Sequence, residues 1–188
     1  MDHAAICMRA IVPALLSGAF QSNPTWAAPV RLRRVTIDPV NPSSGVWVFF
    51  YGSYMNLDVL REVNFVPGAW KVARLAGFDI SIRPRANLTR SDRDCVFGLL
   101  ATATHAELER LYSHARDTLG AVYRPHPVLT ETLDGKVRPA LCYLADDMAP
   151  TPVAGDYLDR ILGPAKAFGF PGWYIARLER FRASRDSG

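Results

Sequence analysis

Apolar positions recur along the chain with two different periods, and the changes of period mark the elements. Val46 to Phe50 is an unbroken run of β-branched and aromatic residues and reads as a strand buried on both faces. It runs into Tyr51-Gly52-Ser53, where glycine permits a tight turn and a close backbone approach. Asn56 then stands as an N-cap before Leu57 to Val63, whose Leu57, Leu60 and Val63 share one helical side. Strand, glycine turn and helix start in that order expose N–H groups suited to an anion or oxyanion.

Pro67-Gly68 marks a turn. Ala69 to Leu75 and Phe78 to Ile82 both alternate, predicting two strands with Ala76-Gly77 as the bend between them. Arg83 to Asp94 is polar and carries no period, which predicts a loop long enough to cover a site. Cys95 to Ala103 is a continuous apolar strand. Thr104 and Glu107 have the spacing of a capping box, and the helix they open runs from His105 to about His114 with Leu108 and Leu111 inward. Gly120 ends the turn that follows. Tyr123 to Leu133 reads as a strand interrupted by Pro125 and Pro127, hence an edge strand or a bulged one. Asp134-Gly135 signals a hairpin, with Val137 to Ala145 as the return strand. Asp156 to Phe168 has helical spacing with Pro164 as a kink or break, Gly169 as a C-cap, and Pro171 opening a last helix that ends in Arg180 to Arg185. Strands fill the middle while helices flank or follow them. The expected class is α+β: an antiparallel or mixed sheet curled towards a barrel, with helices packed outside.

The two ends read differently. Residues 1–28 form a leader, 29–45 a linker with one short strand at Val35 to Ile37, 46–183 the folded domain and 184–188 a tail. The leader has the outline of a secretory signal: Arg9, an apolar run from Ala10 to Phe20, then Thr25 and Ala27 at cleavage spacing. Asp2, Pro13 and Trp26 fit that outline poorly. The run is also too short to span a bilayer, which takes about 20 residues. The expected location is the cytoplasm, with export the alternative if residues 1–27 are a signal, and no membrane partner is expected.

A length of 188 residues suits one domain, and 49% hydrophobic with 21% charged residues excludes wholesale disorder. The net charge of +4 is carried by scattered arginines, with clusters at Arg31, Arg33, Arg34 and at Arg83, Arg85, Arg90, Arg93. These read as solvated surface or as contacts for an anion; no aromatic interleaving or motif supports nucleic acid. The cysteines Cys7, Cys95 and Cys142 show no metal spacing, and Cys95 and Cys142 fall in predicted strands as buried thiols.

The stretch Tyr51-Gly52-Ser53-Tyr54-Met55 resembles the signature loop of the γ-glutamylcyclotransferase-like family. Further pieces follow in that family's order: Val96-Phe97-Gly98-Leu99-Leu100, the helix Ala106 to Tyr112, Gly120 to Tyr123, and Ala165 to Tyr174 before a last helix. The resemblance covers roughly Val46 to Phe181. It implies a small barrel and a small-molecule γ-glutamyl-like ligand, bound without metal or cofactor. It implies a substrate-binding role for Tyr51, Gly52, Ser53, Tyr54, Tyr123 and Tyr174, with Tyr54 bulkier than the usual residue and narrowing the pocket. Arg83 and Arg85 are candidate partners for a ligand carboxylate. The oligomeric state is left open.

The implied reaction is attack of a substrate α-amine on its own γ-carbonyl, releasing 5-oxoproline and an amine or amino acid. It needs a general base, N–H donors for the tetrahedral oxygen, and orientation. The family's base is a glutamate just after the helix. Here that stretch reads Leu111-Tyr112-Ser113-His114-Ala115-Arg116-Asp117. Ala115 falls on the glutamate's place counted from Leu111, and Arg116 counted back from Tyr123. Neither takes a proton at neutral pH. His114, Asp117 and Glu109 are the candidate replacements. Two functions follow: a cyclotransferase-like enzyme with a replaced base, or a non-catalytic module binding a γ-glutamyl-like or carboxylate metabolite.

Overall fold

The computed structural model describes residues 45–146, 148 and 155–183. The leader, most of the linker, Pro150-Thr-Pro152 and the tail lie outside the described residues. Five strands, β1 Val46–Phe50, β2 Trp70–Ile82, β3 Ala86–Ala103, β4 Tyr123–Thr132 and β5 Val137–Ala145, close into a barrel in the order β1-β3-β2-β4-β5. Neighbours pair antiparallel except β1 and β5, which pair in parallel through Val48↔Leu141 and Phe49↔Cys142. The mixed, curled sheet expected from the pattern is therefore present.

Two expectations are corrected. The predicted pair of strands before Arg83 is one strand, β2, and Gly77, at φ 83°, lies where the pairing with β3 shifts register, with Ser91–Asp94 of β3 bulging opposite it. The predicted covering loop from Arg83 to Asp94 is a tight turn at Arg83–Arg85 followed by the first half of β3, paired to β2 from Ile82↔Ala86 to Phe78↔Arg90. Ala86 and Leu88 face the core while Thr89 and Arg90 are exposed. The sheet's long hairpin supplies the order that a polar sequence did not announce.

The core lies on both faces of the curled sheet, where Phe49, Leu99, Leu100 and Ile82 are fully buried. Gly98 lets β3 approach β1: a Cβ there would lie 2.3 Å from the Phe50 carbonyl oxygen. Proline in β4 fits the expected edge character. Pro125 and Pro127 pair with β5 alone, and β4 meets β2 only at Glu131 and Thr132.

Four helices complete the fold: α1 Leu57–Glu62, α2 His105–Leu119, α3 Gly155–Ala167 and α4 Gly172–Ala183. The α1 cap is as read, with the Asn56 side chain accepting from the Asp58 N–H at 2.9 Å. The α2 capping box is complete, with Thr104 N–H donating to Glu107 at 2.7 Å and Glu107 N–H to the Thr104 hydroxyl at 3.2 Å. This helix runs past His114, and its inward stripe is Leu108, Leu111 and Ala115. Helix α3 continues through Pro164 instead of breaking there. Cys95 is disulfide-bonded, so the reading of a free buried thiol holds for Cys142 and not for Cys95. No helix among the described residues is long and apolar enough to cross a membrane.

Candidate functional site

The chain leaves β1 at the barrel rim and turns at once. Gly52 accepts from the Met55 N–H at 2.9 Å, and Ser53–Met55 forms one turn of 3-10 helix. Gly52 has φ −106°, so its need for glycine lies in space: a Cβ would sit 3.0 Å from the Ala86 Cβ and 3.3 Å from the Tyr157 hydroxyl. Against this turn opens a small pocket. Tyr51, Gly52, Ser53, Tyr54 and Tyr123 line it, as the resemblance implies. The remaining wall is Phe50, Arg85, Ala86, Tyr112, Ala115, Tyr143 and Tyr157.

Main-chain groups hold the tyrosines. Tyr51 donates to the Tyr143 carbonyl at 2.7 Å, Tyr123 to the Ala86 carbonyl at 3.0 Å, and Tyr54 to the Leu111 carbonyl at 3.4 Å. The Tyr157 hydroxyl accepts from the Ala86 N–H at 2.9 Å. Tyr112 and Tyr143 stack at 3.6 Å and 8°, and Tyr54 meets Tyr112 edge-on at 6.0 Å. Tyr54 thus forms a wall of the pocket.

Burial governs the acidity of these phenols. Tyr51 and Tyr112 are pushed well above the ordinary value by burial and then by neighbouring Cys142 and tyrosines. Burial moves Tyr54 to about 12 and raises Tyr123 further, against the opposing charge of Arg85. Tyr157 is raised by burial despite hydrogen bonds from Ala86 and Ser53. All are neutral at pH 7, and none serves as a base. The cationic group of the wall is Arg85, half-buried, its guanidinium 4.6 Å over the Tyr157 ring.

An outer cleft of about 250 Å3 adjoins the pocket and shares Ser53, Tyr54, Arg85 and Tyr157 with it. His114 lies in this cleft with Glu62, Asp156 and Arg160, not in the tyrosine pocket. The other two candidate bases are placed further off. Asp117 is exposed and paired with Arg116 at 2.8 Å, and Glu109 is exposed on α2. Neither lines the pocket or the cleft. Tyr174 is also corrected. It is fully buried between α4 and the barrel, 5.3 Å from the Phe97 ring, with its hydroxyl 3.5 Å from the Phe97 carbonyl. The tyrosine that reaches the pocket from the C-terminal helices is Tyr157. No sequence signal separates these two, since each is an inward position of an amphipathic helix. Tyr112, beside Leu111, and Tyr143, on β5, were legible as helix and strand residues but not as pocket walls.

No group of histidine, cysteine and carboxylate side chains among the described residues could hold a metal ion. No family model matches the chain, and neither does any curated protein sequence. Solved structures do match. A γ-glutamyl cyclotransferase aligns over 72% of this chain and 86% of its own, with a TM-score of 0.63 and 24% identity. An uncharacterised protein from Homo sapiens aligns over 72% of this chain and 87% of its own, with a TM-score of 0.60 and 22% identity. The fold is γ-glutamylcyclotransferase-like. A γ-glutamyl cyclotransferase from yeast, specific to glutathione, aligns over 75% of this chain and 96% of its own at TM-score 0.51 and 14% identity. In this γ-glutamylcyclotransferase-like barrel the side chain that faces the pocket from the expected place on α2 is Ala115, 1% exposed.

Proposed function

We propose that the protein binds a small carboxylate-bearing metabolite in the tyrosine pocket and does not turn it over by the cyclotransferase route. The observation that carries this reading is that Ala115 lines the pocket where a γ-glutamyl cyclisation needs a base, and that the rest of the wall offers neutral phenols and one arginine. An α-amino group has a pKa of about 8 and stays mostly protonated at neutral pH, so it cannot attack a γ-carbonyl until a base takes its proton. Such assistance is worth roughly 100- to 10,000-fold in rate. The pocket keeps what binding needs: an enclosed apolar wall, a charged anchor in Arg85 and a glycine turn.

The experiment is release of 5-oxoproline from γ-glutamyl amino acids and amines by the wild type and by Ala115→Glu. The wild type is expected to give no release above the uncatalysed rate, and Ala115→Glu is expected to gain it. Robust turnover by the wild type defeats the reading.

One observation favours a second reading, in which the protein is a cyclotransferase with a replaced base. His114 faces the cleft that shares four residues with the pocket. A substrate amine reaching from one into the other would meet an imidazole, a side chain able to take a proton. On that reading turnover is ordinary and collapses in His114→Ala, while Asp117→Ala and Glu109→Ala leave it unchanged.

A further inference from the structure

The chemistry of the pocket wall narrows the ligand class, an inference that rests on the binding reading above. The hydroxyls of Tyr51, Tyr54 and Tyr123 donate to main-chain carbonyls, and that of Tyr157 accepts the Ala86 N–H. What those residues turn towards a ligand is ring surface, extended by the stacked pair Tyr112 and Tyr143. No carboxylate lines the pocket, so an ammonium taken inside would lose water and gain no counter-charge. The acids nearest to hand lie in the outer cleft, where Glu62 is already 3.2 Å from Arg160.

Arg85 has the opposite character. It sits at the seam of pocket and cleft, its guanidinium carbon 4.6 Å over the Tyr157 ring, and forms no ion pair with another described residue. A guanidinium over a ring can still offer N–H donors to a carboxylate. The space between the rings is small and its wall is mostly apolar. We propose that the pocket takes the apolar body of a small monocarboxylate, a short branched chain or a single ring, with its carboxylate on Arg85, and that it disfavours a zwitterionic γ-glutamyl head.

The test is calorimetric titration of the full chain with phenylacetate, 2-phenylethanol and γ-glutamylalanine. Wild type, Arg85→Gln and Ala115→Leu are compared, with folding checked by circular dichroism. Phenylacetate is expected to bind the wild type at least about tenfold tighter than either other compound. Arg85→Gln should erase the difference between the acid and its alcohol. Ala115→Leu fills the pocket and should abolish binding; if that variant does not fold, Arg85→Gln still decides. Absence of phenylacetate binding, or binding indifferent to Arg85→Gln, overturns the proposal. So does γ-glutamylalanine binding as tightly as phenylacetate without release of 5-oxoproline, and this result leaves the binding reading standing. Release of 5-oxoproline by the wild type removes both.

Discussion

The Tyr157 hydroxyl accepts the Ala86 N–H at 2.9 Å across 71 positions of sequence, and this bond joins α3 to the start of β3 at the pocket wall. Ala86 in turn accepts from Tyr123 through its carbonyl, so one residue of β3 fastens two pocket tyrosines. Tyr157→Phe would leave the Ala86 N–H buried without its partner at a cost of about 1–3 kcal/mol. In a chain of this size that is a fall in Tm of roughly 2–10 °C. Thermal melts of the two proteins check it, and an unchanged Tm would show that water or a shift of the chain replaces the bond.

Gly52→Val should abolish ligand binding. The added side chain would press on Ala86 and on the Tyr157 hydroxyl, 3.0 and 3.3 Å from the new Cβ, and close the pocket from the turn side. Calorimetric titration with phenylacetate reads the loss. A variant that keeps both fold and affinity would mean that this turn is not part of the site.

Gly98→Ala should cost about 3 kcal/mol or more, because the neighbour it meets is backbone and cannot rotate away. The methyl would lie 2.3 Å from the Phe50 carbonyl oxygen and 2.7 Å from the Phe49 ring. Urea unfolding is the measurement, and a variant within about 1 kcal/mol of wild type would refute the close approach of β1 and β3.

Acid stability should depend on Asp94. The Ser91 hydroxyl and then Arg177, at 2.9 Å, hold its carboxyl below the ordinary range against some burial. A folded value below the unfolded one means that the stabilisation is fully present above about pH 4 and is lost as the pH falls through the folded value. The pair is about a third exposed, so the effect should be under about 1 kcal/mol. Asp94→Asn should lower Tm by a few degrees at pH 7, and the difference should shrink as the pH approaches 2. A difference constant with pH would count against it.

The sequence by itself determined what depends on near neighbours. The run Val46 to Phe50, the glycine turn, the Asn56 cap, the Thr104–Glu107 capping box and the Asp134-Gly135 hairpin are each fixed by a few adjacent residues, and each forms as read. That no glutamate stands at Ala115 or Arg116, the two places left open by the resemblance, was also legible. What only the tertiary structure decided depends on residues far apart. Residues 86–90 are strand because β2 lies alongside to share their hydrogen bonds, a partner that local polarity does not reveal. Tyr157 lines the pocket and Tyr174 does not, because barrel closure and helix packing choose which buried tyrosine meets the cavity. His114 and Ala115 are adjacent in sequence, yet the helix turns one towards the outer cleft and the other into the pocket. The 100° step between successive helical residues makes that division, and only the packing of α2 against the barrel decides which side faces the ligand.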